Sequence, residues 1–129
     1  MARILVIDDD NQLRSLLRQI LERENHVVLE ASNGKQGTEV SRNDAPDIVI
    51  ADLVMPEQDG LMAIQEILSQ RPRTKVIAMS GGPTGNAAWL PIAKKAGALR
   101  VLKKPFQRLD LLQAVADALE ISAVENSQA

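Results

Sequence analysis

Apolar residues in this chain gather into five short runs: Ile4-Leu5-Val6-Ile7, Val27-Val28-Leu29, Ile48-Val49-Ile50, Val76-Ile77-Ala78-Met79, and Leu99 to Leu102 with Arg100 inside it. Each has the length of a β-strand. Three are continuous and β-branched instead of alternating with polar residues, the pattern of strands covered on both faces of a parallel sheet. The intervening segments supply helices. Leu13, Leu16, Leu17, Ile20 and Leu21 repeat at the spacing of one helical face, with Arg14, Arg18, Glu22 and Arg23 elsewhere. Leu61, Ile64, Ile67 and Leu68 repeat it after Gly60, and Leu111, Leu112, Val115, Ala116 and Leu119 after Pro105. The segment from Asn33 to Arg42 is read as a helix although Gly37 in its middle costs about 1 kcal/mol relative to Ala, because a parallel crossover is needed there.

The fourth helix is set by Pro91, which lacks an N–H and is tolerated mainly in a first turn. A start near Trp89 or Leu90 and an end near Gly97 follow, leaving Ser80 to Ala88 as a long, mobile, glycine-rich loop. Strand and helix thus alternate five times, and right-handed crossovers turn them into an open, doubly wound α/β sheet with helices on both faces. Residues from about Ser122 to Ala129 are small or polar and read as a frayed tail, so residues 1–121 are expected to form one domain and 122–129 a flexible extension.

The chain has 129 residues, of which 45% are hydrophobic, and its 15 Lys plus Arg against 17 Asp plus Glu give a net charge of −2. A domain of this length buries roughly 68% of its unfolded surface, enough for a core without staples. The absence of Cys excludes disulfides, thiolate zinc sites and cysteine nucleophiles, and the single His26 cannot form a His-rich metal site. Scattered Lys and Arg argue against a direct grip on nucleic acid. Met1-Ala2-Arg3 leads into too short an apolar run for a secretory signal. The longest charge-free stretch, Val76 to Ala93, is broken by Gly and Pro and cannot span a membrane. A cytoplasmic protein is expected.

In open α/β sheets the site lies beyond the carboxyl ends of the strands. Asp8, Asp9 and Asp10 follow the first run, Asp52 the third, Ser80 with Gly81 and Gly82 the fourth, and Lys103, Lys104 and Pro105 the fifth. Carboxylates from two strands, a hydroxyl and an ammonium on one edge suit a divalent cation and a phosphoryl group, and carboxylates without His or Cys select a hard ion such as Mg²⁺. Asp10 reads as a helix cap. Gly82 to Gly85 lacks the lysine and spacing of a nucleotide P-loop. His26 reads as structural, Met55, Met62 and Met79 as packing, and Trp89 as either a core anchor or an exposed recognition residue.

These residues, in this order, resemble the receiver domain of two-component response regulators. The resemblance runs from Arg3 to about Leu119 and rests on Ile4 to Asp10, on Pro46-Asp47 through Asp52 to Met55-Pro56 with Asp59-Gly60, on Ala78-Met79-Ser80-Gly81-Gly82, on Gly97-Ala98 and on Lys104-Pro105-Phe106. It implies a flavodoxin-like three-layer sandwich with parallel strand order 2-1-3-4-5. It also implies that Asp52 accepts phosphate from a phosphohistidine on a sensor histidine kinase or histidine phosphotransfer protein. Asp9, Asp52 and the main-chain carbonyl of Val54 would ligate Mg²⁺, with Asp8 holding a metal-bound water. Lys104 would face the phosphoryl oxygens, Ser80 would donate to one of them and pull its loop inward, and the Lys104-Pro105 bond would be cis.

The chain departs from the family where an aromatic switch residue is usual three positions before the lysine; here that position is Val101. Gly37 and Thr38 replace a common Ala and Leu, and Pro91 alters the fourth helix. The expected role is a phosphoacceptor module, not a turnover enzyme, that binds a downstream protein as a monomer or a weak phosphorylation-dependent dimer. An aspartyl-phosphate phosphatase would carry a second Asp two positions after the nucleophile, where Val54 stands. A flavodoxin-like cofactor binder would want aromatic or phosphate-binding loops. A receiver cut from a hybrid kinase or transcription regulator is the remaining alternative, against which Met1 and the polar tail favour a natural short chain.

Overall fold

The computed structural model describes residues 1–53, 59–81 and 86–128, with 59, 86–90 and 121–128 as backbone alone. The elements alternate as β1 (Arg3–Ile7), α1 (Asn11–Arg23), β2 (Val27–Ala31), α2 (Gly34–Asp44), β3 (Ile48–Asp52), α3 (Asp59–Gln70), β4 (Lys75–Ser80), α4 (Asn86–Ala96), β5 (Arg100–Lys103) and α5 (Arg108–Gln128). The strands form one parallel sheet in the order β2-β1-β3-β4-β5. This is the doubly wound, flavodoxin-like arrangement expected from the resemblance.

The continuous apolar strands are explained by two cores. Alternate residues of a strand point to opposite faces. Ile4, Val6, Ile48, Ile50, Ile77 and Met79 face α1 and α5, where Leu17, Leu21, Leu111 and Val115 meet them. Leu5, Ile7, Val49, Ala51, Val76 and Ala78 face the other layer, where Ala63, Ile64, Ile67 and Ala93 meet them. A polar residue at either parity of the central strands would be buried.

Capping residues fix where the helices begin. The Asp10 side chain accepts from the N–H groups of Gln12 and Leu13 at the start of α1, and Asn33 accepts from Gln36 N–H at the start of α2. Such caps satisfy donors that a helix leaves unpaired. Gly37 is buried in α2 where a Cβ would run into the side chain of Ile7, so the glycine that weakens the helix lets it lie close on β1.

Four expectations need correction. Helix α4 begins at Asn86 and holds Pro91 in its interior, so the loop after β4 ends earlier than Ala88. There the proline, lacking an N–H, costs the helix one i to i−4 hydrogen bond at its middle. The α5 backbone stays helical to Gln128 through the segment read as frayed. Leu16 is 51% exposed and Met62 61% exposed, at the margins of their helices' apolar faces and not in the core. Met55, Pro56 and residues 82–85, together with the side chain of Trp89, lie outside what is described.

Candidate functional site

The carboxyl ends of β1, β3, β4 and β5 meet at one edge of the sheet. β1 and β3 are neighbours, with Ile7 opposite Ala51, so Asp8 and Asp52, one residue further along each strand, come side by side. Their carboxylates and that of Asp9 each offer an oxygen, and these oxygens lie within 4.8 Å of one another. Asp8 is fully buried and Asp52 is 3% exposed; Asp9 is exposed.

Lys104 reaches this group from the end of β5. Its Nζ donates to Asp8 Oδ2 at 3.0 Å and to Asp52 Oδ2 at 3.1 Å. Lys103 is exposed, and of the two lysines Lys104 is the one joined to the carboxylates. The bond from Lys104 to Pro105 is cis. Ser80, 1% exposed at the end of β4, accepts the Lys104 N–H on its main-chain oxygen at 2.6 Å, which ties the β4 end to the base of the lysine.

Charge follows from these contacts. Burial pushes the Asp8 carboxyl above its ordinary range, and the Asp10 N–H and the Lys104 ammonium work against that push. Burial disfavours the Lys104 ammonium, but its hydrogen bonds to Asp8 and Asp52 outweigh this and leave its pKa raised. Lys104 is therefore a fixed cation at neutral pH.

The donor set fits a hard divalent cation. Three carboxylates converge, no His or Cys is among them, and one Lys charge leaves the cluster net anionic. Val54, whose carbonyl the resemblance assigns to the metal, lies outside the described residues.

One contributor was not foreseen. Arg14 reads from sequence as an outer-face charge of α1, yet its side chain is only 15% exposed and its Nη1 donates to the Asp8 main-chain oxygen at 2.8 Å. The available signal was Glu30, an acidic residue on the neighbouring edge strand β2, which accepts from Arg14 Nε at 3.1 Å.

The chain has known relatives. The profile of the response regulator receiver domain matches residues 4–116. The chemotaxis protein CheY of Halobacterium salinarum is 36% identical over 117 residues, covering 91% of this chain and 96% of that protein. CheY of Thermotoga maritima is 37% identical over 114 residues, covering 88% and 93%. A response regulator receiver domain protein from Clostridium thermocellum superposes with a TM-score of 0.88 at 31% identity, covering 96% of this chain and 98% of that one. The chain belongs to the response regulator receiver domain family of two-component signalling. Within that family it is CheY-like over most of its length. No described helix is long and apolar enough to cross a membrane.

Proposed function

We propose that this receiver accepts a phosphoryl group on Asp52 from a phosphohistidine of a sensor histidine kinase or histidine phosphotransfer protein, and that the modified form binds a downstream protein. The observation that carries the reading is the Lys104 ammonium held 3.1 Å from Asp52 and 3.0 Å from Asp8, within an otherwise anionic, largely buried cluster.

In the transfer an Asp52 carboxylate oxygen bonds to phosphorus as the bond from phosphorus to the imidazole nitrogen breaks. The electron pair of that bond stays on the ring, which leaves as neutral imidazole when its other nitrogen carries a proton. The product is a mixed carboxylic-phosphoric anhydride. Positioning and charge supply most of the catalysis in such a step. Mg²⁺, for which Asp8, Asp9, Asp52 and the Val54 carbonyl are the proposed holders, offsets the repulsion between the two anions when bound. Lys104 turns from the Asp52 carboxylate to an oxygen of the incoming group. Ser80 donates its hydroxyl to another, drawing the end of β4 toward Asp52, a local charge change that biases a two-state loop. With Val101 in the usual aromatic position, the switch is reported by another side chain. The chemistry is confined to the protein's own acceptor and its later hydrolysis, as suits a signalling domain.

The nature of the linkage tests this. Incubated with phosphoramidate and Mg²⁺, the protein is expected to gain a phosphoryl group that neutral hydroxylamine removes, as it does an acyl phosphate. An adduct that resists hydroxylamine would not be an acyl phosphate and would contradict the assignment.

A further inference from the structure

The Asp9 carboxylate makes no hydrogen bond or ion pair with another described residue, although its oxygen lies within 4.8 Å of those of Asp8 and Asp52. Its aim is therefore set through its backbone. The peptide entering Asp9 is planar and rigid, so whatever fixes the Asp8 carbonyl oxygen also fixes the Asp9 nitrogen and one side of its Cα. That oxygen is held by Arg14 Nη1 at 2.8 Å. The rest of Asp8 is already committed, its N–H to Ala31 O at 3.1 Å, Oδ1 to the Asp10 N–H at 2.8 Å and Oδ2 to Lys104.

Arg14 is in turn held. Its Nε donates to Glu30 Oε1 at 3.1 Å, and the second Glu30 oxygen accepts from Arg18 Nη1 at 2.7 Å. The Arg18 hydrogen bond first, and that of Arg14 beside it, hold the Glu30 carboxyl below its usual range, so the acceptor stays ionised at neutral pH. A planar guanidinium can place one N–H on each partner in a fixed fork, which an ammonium cannot do. The chain Glu30 to Arg14 to Asp8 thus runs from the edge strand β2 to the peptide that leads into the exposed carboxylate.

We infer that Arg14 is a positioning residue of the acidic site, locking the Asp8-Asp9 peptide so that the Asp9 carboxylate points at a bound divalent cation, with Glu30 holding the guanidinium in place. This rests on the cation role given to Asp8, Asp9 and Asp52 above. Partners that orient metal ligands from behind typically change metal affinity by roughly 10–100-fold when removed. The same guanidinium touches neither Asp52 nor Lys104 among the described hydrogen bonds, so its effect falls on cation binding before it falls on the acceptor itself.

Calorimetric titration of the full chain with MgCl₂, without any phosphoryl donor, tests the inference. Arg14→Met is expected to weaken Mg²⁺ binding by about tenfold, Arg14→Lys to recover only part of that loss, and Glu30→Gln to weaken it in the same direction by less. Adding Glu30→Gln to Arg14→Met is expected to cause no further loss, since Glu30 acts through Arg14. Arg18→Met, which removes a Glu30 ion pair of similar kind without touching Asp8, is expected to bind within twofold of wild type. Equal Mg²⁺ affinity of wild type, Glu30→Gln and folded Arg14→Met would overturn the inference while leaving the cation site intact. Equal weakening by Arg18→Met and Arg14→Met would also overturn it, since the effect would then be one of overall charge or stability. Failure of the wild-type protein to bind Mg²⁺ at all would overturn the cation site, and this inference with it.

Discussion

Asp8 uses every polar atom it has, with partners on β2, α1, the following turn and Lys104. That saturation explains how a fully buried carboxyl persists at a strand end, since buried polar groups are costly unless paired. His26 is another residue whose environment sets its proton. Its Nδ1 accepts from the Ala2 N–H at 3.1 Å, and burial, with the N-terminal ammonium behind it, lowers its pKa from the ordinary 6.5 against the pull of Glu24. The neutral ring is favoured by folding, so this stability is present above pH 6.5 and is lost as pH falls through the lower folded value. Melting temperatures between pH 8 and 5 are expected to fall more for wild type than for His26→Gln, the divergence opening below about pH 6.5; parallel curves would contradict it. The acidic residues, Ser80 and Lys104 were legible because strand-end position and residue type together narrow the chemistry. Arg14 was not, because helical periodicity separates apolar from polar positions and does not say which polar residue turns inward to a backbone oxygen. The half-exposed Leu16 shows the reverse, an apolar residue at the right spacing that the core does not reach.

Strands were the most legible elements, since β1, β3 and β4 are buried at nearly every position and carry apolar residues at both parities. Helix boundaries were less so. Pro91 reads as a first-turn residue by local chemistry, yet α4 starts five residues before it, and the contacts of the sheet override the local preference. Replacing it restores an N–H opposite the Ala87 carbonyl. Proline in a helix interior is about 3 kcal/mol worse than alanine, part of which it regains by restricting the unfolded chain. Pro91→Ala is therefore expected to raise stability by about 1–2 kcal/mol in urea titration; a lower midpoint would show that the ring is needed where it sits. Gly60 opens α3 where a Cβ would strike the main-chain oxygen of Asp52 and the backbone of Leu53. Backbone cannot move aside as a side chain can, so Gly60→Ala is expected to cost at least about 1–3 kcal/mol, and to reduce Mg²⁺ binding because the strained segment ends in Asp52. Wild-type stability and affinity in that variant would mean that α3 can retreat from β3 freely.

Parallel strands all end on one side, so the fold delivers Asp8, Asp52, Ser80 and Lys104 to one edge, although Lys104 lies 96 residues from Asp8 in sequence. Two cores, one on each face of the sheet, pack the strands that lead to that edge. Gathering three carboxylates there is expected to destabilise the protein without a cation, and a ligand that binds only the folded state adds stability by mass action, about 1.4 kcal/mol at ten times its dissociation constant. Millimolar Mg²⁺ is therefore expected to raise the melting temperature of wild type by a few degrees and to leave that of Asp9→Asn nearly unchanged; equal shifts in both would place the ion elsewhere. The central claim is that Asp52 takes the phosphoryl group, and intact mass spectrometry after incubation with a small acyl phosphate donor tests it most directly. Wild type is expected to gain a single phosphoryl group when Mg²⁺ is present and none when the ion is chelated before the donor is added, and Asp52→Asn is expected to gain none. The same adduct on Asp52→Asn, or none on wild type after rapid acid quenching, would contradict the account.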